Sequence, residues 1–303
     1  MNRQLLFASM WIVGVTALFR VAPCFDDDVR EFKLATYNVK NLFDEHDDPY
    51  YWDEKTDPMP KPLEEVKALA SVIHRLDADI IALQEVESRE VLRRFRRRFL
   101  QDMGYGEPVL IEGNDMRGID VALLSRIPVG PVTSYRHLQV TSADYRNPRF
   151  ERDLLRVRMC PEDDFWFDIY VVHLKSGRRV DDIKKRMSEA IKVREILDGE
   201  LKRYEGYRFI LVGDFNDSRK SDVIRLIEGK GKRKLFCLND ELPEDQGFTF
   251  VWKSIRAQFD YIFCSPSMKG FYVEGSARVI IGEDVSIASD HMPVIASFSI
   301  PSK

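Results

Sequence analysis

In this chain, residues able to do chemistry recur where apolar runs end. Asn38 closes KLATYN, Glu85 closes IIALQE, His173 closes DIYVVH, and Asp214 and Asn216 close FILVGDFN. Asp260 lies in QFDYIF, and Ser289-Asp290-His291 stands directly before the apolar stretch MPVIASFSI. An acid buried beside a strand end costs several kcal/mol unless a metal or a hydrogen-bond partner compensates it. One such residue would mean little, but their recurrence within one domain points to a shared site. Cysteine supplies no competing chemistry: Cys160, Cys237 and Cys264 are widely spaced without a CxxC pair, and the five histidines are scattered. Neither a zinc cluster nor a disulfide framework is signalled, and the cysteines read as small buried hydrophobes.

The elements that must position these residues follow from periodicity. From about Glu31 onward, short apolar runs rich in β-branched and aromatic residues alternate with helical patterns, with no linker or internal repeat to mark a boundary. Strands are expected at 32–37, 79–83, 119–124, 154–159, 165–172, 208–212, 248–252, 259–263, 272–280 and 293–300, enough for two packed sheets. Leu63, Val66, Leu69, Ile73 and Leu76 recur at helical spacing. So do Ile183, Met187, Ile191, Arg194, Leu197 and Leu201, with one polar exception. This mixture predicts helices covering a mostly antiparallel or mixed sheet sandwich rather than a doubly wound parallel sheet. The stretch 44–62, carrying acids, prolines and the aromatics Tyr50, Tyr51 and Trp52, reads as a surface loop.

TYNVKNLFD, LQEVE, RGIDVALLSR, VVHLKS, LVGDFND, FDYIF and SDHMPV occur in this order. Over about residues 33–300 they resemble the endonuclease/exonuclease/phosphatase (deoxyribonuclease I-like) superfamily. The resemblance implies an α/β (α+β) fold, a four-layered α/β/β/α sandwich of two mixed, mostly antiparallel sheets flanked by helices, with the site at one end of the sheets. It also implies a metal-dependent phosphoric ester hydrolase that cleaves by attack of water. On that likeness Glu85 is the principal metal ligand, with Asn38 and Asp290 near the metal or its waters. The hard oxygen donors suit Mg²⁺, with Mn²⁺ as the alternative. Asp214 is expected to activate the water and Asn216 to hold a phosphoryl oxygen. Asp260 is expected to orient His291 as a cation, and His173 to protonate the leaving group. Arg117 and Arg152 are the candidate phosphate-binding residues. Two departures narrow the likeness. Lys40 stands where some branches have an acid, which favours one tightly held metal over two, and the tryptophan-cysteine-aspartate-arginine motif of the inositol phosphatases is absent.

The remaining features discriminate among substrates only weakly. The 303 residues carry 46 basic and 50 acidic side chains, a net charge of -4, so no global field draws the molecule to nucleic acid. Arg93, Arg94 and Arg96–Arg98 surround Leu92, Phe95 and Phe99 at helical spacing, the pattern of an amphipathic helix with a solvated basic face. Lys230, Lys232, Arg233 and Lys234 sit among glycines as a basic loop. Met1–Gln4 followed by the uncharged Leu5–Phe19 reads as a signal peptide or N-terminal anchor over 1–24, ahead of one domain over 30–303. Cys24 is a conceivable lipidation site, and the expected location is secreted, periplasmic or envelope-associated. The reading reached is an exported Mg²⁺-dependent nuclease on DNA or RNA. A sphingomyelinase-like lipid phosphodiesterase or a small-ester phosphatase is the enzymatic alternative, and membrane contact is expected only through the N-terminus or a lipid substrate. A non-catalytic binding module is disfavoured because all eight site residues are present.

Overall fold

The computed structural model describes residues 29–46, 59–142, 146–243 and 245–301. The expected leader over 1–24, Cys24 and the aromatics Tyr50–Trp52 lie outside them. In chain order the first half holds β1 (Val29–Leu42), α1 (Leu63–Leu76), β2 (Ile80–Val86), α2 (Arg89–Phe99), β3 (Val109–Leu110), β4 (Asp120–Ser125) and β5 (Val129–Ser134). Then come β6 (Leu155–Glu162), β7 (Phe165–His173), α3 (Val180–Arg203), β8 (Phe209–Asp214), α4 (Asp222–Glu228) and β9 (Phe236–Cys237). The chain closes with β10 (Phe250–Trp252), β11 (Ile255–Ala257), β12 (Asp260–Cys264), α5 (Pro266–Lys269), β13 (Arg278–Val279), α6 (Glu283–Ala288) and β14 (Val294–Pro301).

Two six-stranded sheets form, in the orders β13-β14-β1-β2-β4-β3 and β5-β6-β7-β8-β12-β9, with β10-β11 as a separate hairpin. Each sheet holds one parallel pair, β1 with β2 and β7 with β8, and its other pairings are antiparallel. A parallel pair needs a crossover, and α1 and α3 supply the two. The sheets face each other through Phe32, Leu34, Ile80, Val121, Val157, Phe167, Ile169, Ile210, Val212 and Ile262. Helices α1, α2 and α6 cover the outer face of the first sheet, and α3 and α4 that of the second. The molecule is therefore the expected four-layered α/β/β/α sandwich. Central strands are buried on both faces, which is why they read as continuous apolar runs rather than alternating ones.

Three expectations change. The run 272–280 is a strand only at Arg278–Val279, because Gly275 takes φ 75° and a turn closes from Ser276 N–H to Val273 O. The edge strand β5 carries Gly130 and Pro131 and has no apolar alternation to announce it. On α3 the buried face is rotated from the expected stripe: Ile183 and Ile191 are exposed, while Lys185, Arg186 and Glu189 are buried. Helix α2 is amphipathic as read, capped by Ser88 accepting from Val91 N–H, and Glu107 pairs with Arg93 and Arg96. Cys160, Cys237 and Cys264 are free thiols, and among the described residues no helix is long and apolar enough to cross a membrane.

Candidate active site

Side chains alternate along a strand, so the face a residue joins follows from its parity. On β1, Phe32 and Leu34 point between the sheets; on β7, Ile169 and Val171; on β8, Ile210 and Val212; on β12, Ile262 and Cys264. His173, Asp214 and Asp260 keep those parities at strand ends, and Asn38 keeps its own where the β1-β2 register breaks, so all four point into the end of the inter-sheet layer. In register, His173 pairs with Asp214 across β7-β8, and Asp260 with Asp214 across β8-β12. The two parallel pairs therefore deliver Asn38 and Glu85 from one sheet, and His173 and Asp214 from the other, to one edge of the sandwich.

Glu85 has the opposite parity and reaches the site by a different device. Its backbone is left-handed, φ 64°, and the β2-β4 register shifts between Gln84 and Val86. This bulge moves Val86 onto the helix-facing side with Leu83 and re-aims the Glu85 carboxyl. Glu85, with its side chain 16% exposed, accepts from Asn38 Nδ2 at 3.3 Å and from the Asn41 N–H at 3.1 Å. Asn38 Nδ2 also donates to Asp214 Oδ2 at 3.0 Å. Asn216, at φ 52°, donates its N–H to Asp214 Oδ1 at 2.8 Å and its Nδ2 to the Leu174 carbonyl at 3.0 Å.

His291 Nδ1 lies 2.8 Å from Asp260 Oδ2, and its Nε2 lies 3.8 Å from Asp214 Oδ2. His173 Nε2 is 3.5 Å from Asp214 Oδ2 and 4.0 Å from Glu85 Oε1, while its Nδ1 is buried with no hydrogen-bond partner among the described residues. Burial pushes the His291 pKa down, but the Asp260 and Asp214 carboxyls oppose it and prevail, raising it to about 10. Burial lowers His173 well below the ordinary histidine value, and the charges of Arg152 and Arg117 deepen the shift. Burial raises Asp214 to about 7 against the opposing pull of His291. Of the two imidazoles, His291 is the cation and His173 the neutral ring.

Asp290 is half-buried beside this group; its carbonyl accepts from Val251 N–H, and its charge adds to the rise at His291. Arg117, 52% exposed, is held by Asp115 at 3.3 Å, whose other oxygen lies 2.7 Å from Arg152 Nε. Arg152 is 1% exposed and directs Nη1 to the Leu174 carbonyl, so it acts on the site as a buried charge behind His173 rather than as an open guanidinium. Sequence reasoning missed Asp115 and two hydroxyl residues. Ser289 Oγ donates to the Asn38 carbonyl and accepts from His291 N–H, and Thr249 Oγ1 accepts from the N–H groups of Phe259 and Asp260. Their only signal is position within SDH and two residues into GFTF.

Carboxylates gathered in a largely buried cleft need positive charge. The ligating atoms of Asp214, Asp260 and His291 lie within 4.8 Å of one another, close enough to share a cation. Binding there would break the 2.8 Å Asp260–His291 hydrogen bond, whereas among the described residues the Glu85 carboxyl accepts from two amide N–H groups and lies 4.0 Å from an imidazole. The oxygen-rich donor set around Glu85 and Asn38 thus fits a hard divalent ion.

The sequence profile of the endonuclease/exonuclease/phosphatase family matches residues 33–268. No curated protein matches the chain. Among solved structures, the human Nocturnin catalytic domain with bound sulfate anion superposes with TM-score 0.64 at 19% identity, covering 90% of this chain and 97% of that one. ANGEL2, a 2',3'-cyclic phosphatase, in complex with adenosine-2',3'-vanadate, superposes at 0.65 and 16% identity, covering 90% and 97%. TDP2 of D. rerio complexed with single strand DNA product does so at 0.62 and 15%, covering 88% and 98%. At these identities the likeness is one of fold.

Proposed function

The chain belongs to the endonuclease/exonuclease/phosphatase family of phosphoric ester hydrolases, and on that premise we propose that it is a Mg²⁺-dependent phosphodiesterase acting on nucleic acid outside the cytoplasm. The observation that carries the chemistry is the convergence of Asp214 with Asn38, His173 and the Asp260–His291 pair at one sandwich edge. In-line attack at phosphorus builds negative charge on the equatorial oxygens and the departing alkoxide, so donors must be fixed beforehand. Asp214, its pKa near neutrality, accepts a proton from the attacking water. Asn216 is placed to hold a phosphoryl oxygen, Asn38 fixes the Glu85 and Asp214 carboxyls with its two amide hydrogens, and the His291 imidazolium, fixed by Asp260, faces the developing charge. His173 is a neutral N–H donor; its depressed pKa makes it a positioner of the leaving oxygen rather than a store of its proton. When bound at Glu85, the divalent ion supplies Lewis-acid stabilisation of the same charge.

Nucleic acid is favoured over lipid by the hairpin beside His291. Phe250 packs on the His291 ring at 4.9 Å. Trp252, two residues on and therefore on the same face, is 51% exposed with Lys253 Nζ 4.5 Å from its ring. An aromatic surface with a cation suits a base and its phosphate better than an acyl chain. The adenosine-2',3'-vanadate on ANGEL2 and the DNA product on TDP2 support the same substrate class. Location outside the cytoplasm rests on Met1–Phe19 alone.

One preparation tests these points. The purified protein with Mg²⁺ is expected to hydrolyse single-stranded DNA or RNA, with EDTA and Asp214→Ala each abolishing turnover, and its N-terminal mass to lack residues 1–24. Exclusive turnover of sphingomyelin vesicles would replace the nucleic-acid reading. Full activity in Asp214→Ala or without metal would remove the mechanism, and an intact Met1 in protein recovered from the cytosol would remove export.

A further inference from the structure

Polar side chains buried on a helix cost stability unless each is satisfied, and the first half of α3 turns three of them inward at Lys185, Arg186 and Glu189. None touches the reacting centre; their bonds run to the loops that carry it. Glu189, 1% exposed, accepts the Glu151 N–H through Oε1 at 2.8 Å and the Lys175 N–H through Oε2 at 2.7 Å. Lys185 Nζ donates to the carbonyls of Asn147 and Arg149. Arg186 donates through Nη1 to the carbonyls of Lys175 at 2.8 Å and Gly177 at 3.1 Å, and through Nε to Asp217 Oδ2 at 3.0 Å. One helix face thus ties together the segment 147–151 before β6, the turn 174–177 after β7 and the turn 215–217 after β8.

The Glu189 ties, and those of Arg186 to Lys175 and Asp217, end within two residues of a site residue. Arg152 follows Glu151 directly. Leu174 sits between His173 and Lys175, and its carbonyl receives both Arg152 Nη1 at 3.4 Å and Asn216 Nδ2 at 3.0 Å. Asn216 precedes Asp217. A single carboxylate holding N–H groups from two loops sets the spacing between those loops, and the two-carbonyl grip of Arg186 sets the path of the turn after His173.

The choice of residues argues against a stability role alone. Ile183 and Ile191 of the same helix are exposed while charged side chains occupy its inner face. Apolar residues at the inner positions would avoid the cost of burying charge, because a buried ion pair is often no more stabilising than a well-packed apolar replacement. What apolar residues cannot do is bind loop N–H and C=O groups in fixed directions, and displacements of about 1 Å at an active site can cost roughly 10²-fold in rate. We propose that Glu189 and Arg186 are positioning residues for phosphoester hydrolysis, holding His173 and Asn216 in place through the backbone of their own turns. This inference rests on the assignment of His173, Asp214 and Asn216 to the reaction.

The test compares Glu189→Gln and Arg186→Lys with Arg194→Lys. Arg194 is a similarly buried arginine of α3, but it binds the carbonyls of Ile227 and Glu228 at the end of α4 and of Arg233 in the turn after it, away from every site residue. On bis(4-nitrophenyl) phosphate with Mg²⁺, Glu189→Gln and Arg186→Lys are expected to lower kcat about 10- to 100-fold with KM within about twofold. Arg194→Lys is expected to lower the melting temperature comparably while keeping kcat within about twofold. Hydrogen exchange at Glu151 and Lys175 should accelerate in Glu189→Gln while the α3 amides stay protected. Wild-type kcat in both Glu189→Gln and Arg186→Lys, or an equal kcat loss in Arg194→Lys at matched stability, would overturn the positioning role. If Glu189→Gln does not fold, Arg186→Lys decides alone. Retained activity in Asp214→Ala or Asn216→Ala on the same ester would instead remove the site assignment, a separate outcome.

Discussion

Two histidines a few ångströms from one carboxyl group, Asp214, are driven in opposite directions by what else they meet. His291 has Asp260 on its Nδ1, whereas His173 has no partner there among the described residues and lies amid the charges of Arg152, Arg117 and Lys175. Burial lowers both, so the neighbouring charge decides the sign. Asp260→Asn keeps the shape and the acceptor but removes the charge that raises His291. The His291 pKa is then expected to fall from about 10 toward or below the ordinary histidine value, bringing loss of the cation into the neutral range. Activity at pH 8 should fall about 10²-fold or more, and part of it should return as pH is lowered. A His291 resonance that titrates at the wild-type pH in Asp260→Asn would sink this account. The site was legible because Asn38, Glu85, His173 and Asp214 close apolar runs within recurring motifs; the parity that turns Asn38, His173, Asp214 and Asp260 inward emerged only with the sheets in place. Glu189, Arg186 and Asp115 were not legible, because charged residues on a helix or loop look solvated until the carbonyls and N–H groups they serve are in place.

The strands have their own requirement at Gly213. Its φ is 140°, and a Cβ built there would lie 1.9 Å from the Val172 carbonyl oxygen of the neighbouring parallel strand. That close approach pairs Val172 with Gly213 and sets His173 opposite Asp214. The glycine of GDFND is thus a packing requirement of β7 and β8 that the chemistry exploits. Gly213→Ala combines backbone strain with a backbone clash, mechanisms that place it at the severe end of point substitutions, at least about 3 kcal/mol. Urea unfolding should show a midpoint lowered accordingly, with activity lost in proportion; a wild-type midpoint would show that the strands have room to spare. Long central strands were legible because both their faces are apolar. Edge and short elements were not: β5 lacks a pattern, and of 272–280 only the two residues of β13 join β14 in a ladder, the turn before them being held by the Tyr272 hydroxyl, bonded to Glu241 and to Ala277 N–H.

Across the whole molecule, folding concentrates negative charge. In a chain of net charge -4, the sandwich brings Glu85, Asp214, Asp260 and Asp290 to one edge with a single imidazolium among them. Chain order predicted that gathering only because seven short motifs point the same way; overall charge, spread along the sequence, said nothing about it. The unfolded chain leaves those acids apart and hydrated, so a divalent cation should bind the folded state far better and stabilise it by mass action. At about 100-fold excess over Kd the gain is roughly 2.7 kcal/mol, which for a domain of this size raises Tm by about 5 °C or more. Melting followed against added Mg²⁺ at constant ionic strength is expected to show that rise with saturation, and EDTA to reverse it. Glu85→Gln, which keeps the amide contacts but loses the hard anionic ligand, should melt near the metal-free temperature and show little further rise. A Tm indifferent to Mg²⁺, or a Glu85→Gln variant that rises as wild type does, would move the cation away from Glu85 and leave the Asp214, Asp260 and His291 trio as the place to look.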